Sequence, residues 1–172
     1  MNTRILWLTA LCTSGAAIAQ APAEPGDNIQ AIRALLDGPR TRLAEGLADC
    51  AGVSDAGSAI MARLGKEERS DSSHRLAEKT FGLGLWVYSS QQLIASDPET
   101  FRQAQGNVDA IAWLSPFRTR RAEALLSETN TAITDGLDIE RPLTTAQFYC
   151  SDLIEAFVTR ALQETHKEPH GT

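Results

Sequence analysis

Two cysteines a hundred residues apart, Cys50 and Cys150, constrain this chain most, because the residues at its start predict that they meet in an oxidising compartment. Met1 to Ala19 carries Arg4 in a short polar stretch, then the apolar run Ile5 to Cys12, then the small residues Ala17-Ile18-Ala19. Charge, apolar core and small-residue cleavage site in that order mark an exported precursor, cut near Ala19. Cys12 leaves with the leader, so only one intramolecular pairing remains, Cys50 with Cys150. A lipid anchor on Cys12 fits poorly, since the residue before it is Leu11 and not a small one.

Removal of the first 19 of 172 residues leaves 153, enough for one domain with its own core. The apolar run of the leader meets Thr13-Ser14-Gly15 well short of the ~20 apolar residues a membrane span requires, and no later stretch qualifies. Losing the leader's single basic residue shifts the formal charge of the chain from -6 to -7. An acidic balance argues against nucleic acid as a partner, because neutralisation of phosphates by Lys and Arg supplies most of that affinity.

Local patterns predict helices throughout. Residues 20–26 (QAPAEPG) read as a disordered lead-in, and the single helical domain is expected over 27–165, with a flexible tail at 166–172. Ile29, Ile32, Leu35 and Leu36 recur at helical spacing until Gly38-Pro39 interrupts them. A second helix runs from Leu43 to Gly65, with a break possible at Gly52 or Gly57. Lys66 to Ser73 has no apolar residue and reads as a connection, followed by a third helix over 74–96. Its segment FGLGLWVY would also suit a buried strand, but no second strand-like run exists to pair with it. Gly82 and Gly84 there suggest close approach of another helix.

Asp97-Pro98-Glu99 starts a fourth helix, and Ser115-Pro116 signals either a fifth or a kink. Thr144 and Gln147 form a capping-box pattern with Leu143 and Phe148 in staple positions, so the last helix is expected to begin there. Phe148, Leu153, Phe157, Val158 and Leu162 then continue one apolar face. The expected fold is all-α: an antiparallel bundle of five to six helical segments, with the disulfide joining the second helix to the last.

Catalytic chemistry finds little support. Gly52-Val53-Ser54 comes nearest to the flanking glycines of a nucleophile elbow, but Ala56 stands where the second glycine belongs. His74 is isolated, His166 and His170 lie in the tail, and no HExxH, CxxC or CxxCH is present, so neither a metal nor a cofactor is expected. One constellation is sharper: Arg118, Arg120 and Arg121 follow Ser115-Pro116, where a helix N-terminus would favour an anion. The resulting expectation is a periplasmic or secreted helical protein that is not an enzyme and binds another envelope protein, with an anionic small ligand on the arginines as the alternative.

Overall fold

The computed structural model describes residues 25–90, 98–135 and 140–165. The expected leader with Cys12, the first part of the lead-in, Asp97, Gly136 and the tail with His166 and His170 lie outside the described residues. Among the described residues the structure is all-α. Six helices follow in order: α1 (Pro25–Asp37), α2 (Arg40–Arg63), α3 (Glu67–Ser89), α4 (Pro98–Gln105), α5 (Val108–Thr134) and α6 (Glu140–Thr165).

Helix α2 is the axis of the bundle. Its Leu43, Ala44, Leu47, Ala48, Cys50 and Ala51 are essentially inaccessible, because α3, α5 and α6 surround it. Ser58 and Ser70 share a hydrogen bond of 3.0 Å at one end of the α2–α3 pair, and Gly84 meets Ala44 and Leu47 at the other, so these helices are antiparallel. Helix α5 runs parallel to α2, with Arg118 beside Asp55 and Asn130 accepting from Arg63 at 3.2 Å. Helix α6 returns antiparallel, and the Cys50–Cys150 disulfide, with Cα atoms 5.4 Å apart, joins it to α2. Both cysteines are buried, as their positions beside the Leu47 and Leu153 faces predict.

Several boundaries differ from the sequence pattern, each for a physical reason. The lead-in is shorter than expected, for α1 begins at Pro25, and proline suits the first helical position because its missing N–H has no partner there anyway. Helix α2 passes unbroken through Gly52 and Gly57, then ends in a Schellman turn in which Gly65, at φ 67°, donates to Ala62 and Lys66 donates to Met61.

The polar run after Lys66 is helix and not connection, so α3 starts at Glu67. Glu67 and Glu68 favour the positive end of the helix dipole. Ser70 turns inward to Ser58, so the first turns of α3 dock through hydroxyls that hydropathy does not register. The FGLGLWVY segment is helical, and its two glycines lie where other helices cross: Gly84 under α2, Gly82 against Gln105 and Phe101 of α4.

Of the two outcomes that Ser115-Pro116 allows, the chain takes continuation, and α5 starts earlier, after Gly106-Asn107, where the Asn107 side chain accepts from Ala110 N at 3.1 Å. Pro116 sits inside α5. The carbonyl that loses its partner there belongs to Ala112, an exposed residue open to water.

Helix α6 likewise begins before the capping-box pattern. Thr144 is already inside the helix, and the Leu143–Phe148 staple does not form, since Leu143 is buried and Phe148 is 67% exposed. The single apolar face expected for α6 divides in two. Leu143, Ala146, Cys150, Leu153, Phe157 and Ala161 face the core, whereas Phe148, Val158 and Leu162 face outward.

Candidate binding seam between α5 and α6

The three arginines singled out in the sequence do not sit at a helix N-terminus. Helix α5 begins ten residues before Arg118, at Val108, so no free amides lie beside the guanidinium groups. Nor do the three act alike. Arg118 is held by Asp55 in a two-pronged pair, Nε to Oδ2 at 2.5 Å and Nη2 to Oδ1 at 3.0 Å, and by Glu78 at 2.6 Å. Its guanidinium also stacks 5.0 Å from the Phe81 ring centroid. The hydrogen bond to Asp55 raises the Arg118 pKa, burial opposes the rise, and Glu78 adds to it. With acids from both α2 and α3, Arg118 is a clasp among three helices, and its charge is already matched. His74 Nδ1 lies 3.9 Å from the same Asp55 carboxylate.

Arg120 and Arg121 form no ion pair among the described residues. Arg120 is exposed and lies over the Phe117 ring, 4.9 Å from its centroid. Arg121 is placed by Gly52: a Cβ at that position would run into the Arg118 carbonyl and come within 3.0 Å of Arg121 Cβ. The α5 backbone therefore crosses α2 at van der Waals contact, which only glycine permits.

That crossing places both arginines near an acid that the sequence pattern did not single out. Asp49, one residue before Cys50, is partly buried on α2, and its pKa rises from 3.8 to about 6. Burial is the largest cause; Arg121 and then Arg120 pull the value back down, and Glu45, one turn earlier, pushes it up. Tyr149, one residue before Cys150 on α6, feels the same acid. Its pKa is also raised, by burial first and by the Asp49 charge second. Helices α5 and α6 both pack on this stretch of α2, α5 by its close crossing at Gly52 and α6 through the disulfide at Cys50, and they also touch each other, so the seam of the three helices lies beside Asp49. Along the α5 wall Trp113, Phe117 and Arg120 recur at helical spacing, and Trp113 is half exposed.

The remaining candidates for chemistry are occupied otherwise. Ser54 lies within α2, buried, with its Oγ donating to the Cys50 carbonyl at 3.3 Å, and so is not on the strained turn an activated serine requires. Cys50 and Cys150 are oxidised. No group of three His, Cys, Asp or Glu side chains converges as a metal cage among the described residues, and no described helix is long and apolar enough to cross a membrane. No protein-family model matches the chain, and comparison with curated proteins and with solved structures finds no similar one.

Proposed function

We propose that this is an exported, periplasmic protein that works by binding another envelope protein and carries no catalytic chemistry of its own. The outer face of α6 is the observation that carries this reading. Phe148 and Val158 lie on it, 67% and 44% exposed, while a separate apolar face of the same helix completes the core. Large apolar side chains left exposed on the side of a helix away from the core, among polar neighbours, are suited to anchor a partner helix or strand. The disulfide supports export, and it holds α6 rigidly so that the outer face is presented without further ordering cost.

A photoreactive residue placed at position 148 or 158 should crosslink to an envelope protein in intact cells, and the same residue at Leu76, exposed on α3, should not. Equal adducts from all three positions, or none from 148 and 158, would reject this reading. A second reading, an anion binder, draws on Arg120 and Arg121, which stand without acidic partners among the described residues.

A further inference from the structure

Helix α6 leaves its outer side uncovered along most of its length. Thr144, Phe148, Ser151, Glu155, Val158 and Leu162 are all exposed, although the helix is held to the core on its other side. These six positions alternate by four and three residues, which is the spacing of a coiled-coil seam. At 3.6 residues per turn they form a stripe about 80° wide and about 27 Å long. Such a seam pairs with another helix directly and needs no preformed groove.

Glu155 decides what kind of helix fits. It stands midway along the stripe, seven residues from Phe148 and seven from Leu162, so a helix that covers both of these also covers Glu155. A carboxylate enclosed by apolar side chains without a donor opposes that docking. Asp152, also exposed, borders the same stripe. Neither acid belongs to an ion pair among the described residues. Arg160 is the one basic residue between positions 142 and 164, and it is taken by Asp37 at 2.8 Å and Glu164 at 3.2 Å. The face therefore offers three large apolar anchors and two unmatched negative charges, and its positive charges must come from outside.

We propose that the outer face of α6 docks a basic amphipathic helix of the envelope partner, whose apolar side chains pack among Phe148, Val158 and Leu162 and whose Lys or Arg side chains meet Glu155 and Asp152. This rests on the reading of α6 as the docking face and names the partner's chemistry. A second copy of the chain brings no cation. Paired parallel, it sets Glu155 against Glu155; paired antiparallel with Phe148 on Val158, it gathers Asp152 and Glu155 of both copies about the two-fold axis. An anionic lipid surface is repelled by the same acids.

A fluorescent three-heptad peptide tests this, with Lys at its e and g positions and Leu at a and d, save for one Lys at the central a position. A twin carries Glu in place of every Lys. By anisotropy the oxidised protein should bind the Lys peptide and not the twin, and added salt should weaken the complex. Asp152→Lys combined with Glu155→Lys should reverse the choice, with a loss of about tenfold or more for the Lys peptide and a gain for the twin. Phe148→Ser combined with Leu162→Ser should weaken binding of either peptide to its matched protein. Glu123→Lys combined with Glu128→Lys, exposed acids on α5, should leave binding unchanged.

Equal binding of the two peptides, an equal loss from the α5 control, or no binding of the Lys peptide to wild type would each overturn the proposal. So would a wild-type dimer in sedimentation that Phe148→Ser dissociates, which assigns the face to a second copy, or flotation with phosphatidylglycerol vesicles that requires Phe148, which assigns it to lipid. Crosslinks from positions 148 and 158 that persist when the Lys peptide fails to bind would reject the basic helix alone and leave the docking face standing, so the two readings fail separately.

Discussion

Replacing Asp49 by asparagine should stabilise the protein at neutral pH and leave it unchanged in acid. The carboxyl pKa is raised from 3.8 to about 6 in the folded chain, mainly by burial. Below pH 3.8 the group is protonated whether the chain is folded or not, and it then costs the fold nothing. As pH rises from there toward 6, the unfolded chain releases its proton and the folded chain retains it, so stability falls; above 6 the loss is complete. At about 1.36 kcal/mol per pH unit, a shift of roughly two units sets a ceiling near 3 kcal/mol. Asp49 keeps some contact with water, and solvent screening reduces this to about 1–2 kcal/mol, or roughly 3–6 °C in Tm for a domain of this size. Urea denaturation at pH 3.5 and pH 7.5, with the disulfide intact, measures it, urea being preferred because a charged denaturant screens the arginines. A variant destabilised at pH 7.5, or one whose gain is the same at both pH values, would refute the assignment of the cost to a buried charge.

Other perturbations separate the elements that hold the seam. Replacing Cys50 and Cys150 together by alanine removes a cross-link spanning 100 residues and should cost up to about 4.7 kcal/mol, read by urea unfolding against the oxidised wild type; a loss below 1 kcal/mol would mean the bundle holds α6 without it. Gly52→Ala drives a methyl group into the Arg118 carbonyl and should cost about 1–3 kcal/mol, with the near-ultraviolet signal changed as α5 shifts, whereas an unaffected Tm would contradict the close crossing. Arg118→Ala strands Asp55 and removes the stack on Phe81, for an expected loss of about 2–4 kcal/mol; a double-mutant cycle with Asp55→Asn should show coupling above 0.5 kcal/mol, and Arg118→Lys should not restore stability fully. Asn107→Ala should cost about 1 kcal/mol through loss of the cap on α5, measured by thermal melting.

What the sequence discloses here depends on whether a feature is local. Gly38-Pro39 ends one helix and permits the next because proline acts within its own turn, and the structure breaks there. The cysteines are legible for a different reason: two thiols allow one pairing, whatever the fold between them. Ser115-Pro116 leaves a choice open because a proline signal has two outcomes, a new helix or one that continues past it, and the chain takes the second. Asn107, which has a side-chain acceptor for Ala110 N, takes the start eight residues earlier. The first turns of α3 escape a hydropathy reading because they dock through Ser70, and Phe148 is misassigned because apolar character alone does not say which face of α6 the core takes.

The seam was the least accessible of all, and the reason is geometric. Asp49, Arg121 and Tyr149 come from three helices, and nothing in the spacing of any one helix relates them. Their meeting depends on two contacts to α2 made within three residues of each other: the disulfide at Cys50, which carries Tyr149 in with α6, and the close crossing at Gly52, which carries Arg121 in with α5. Each contact had a sequence signal, a cysteine and a helix-interior glycine. Taken together they mark the stretch of α2 against which two other helices are drawn most tightly, and the acid on the solvent side of that stretch is the one whose charge the fold must accommodate.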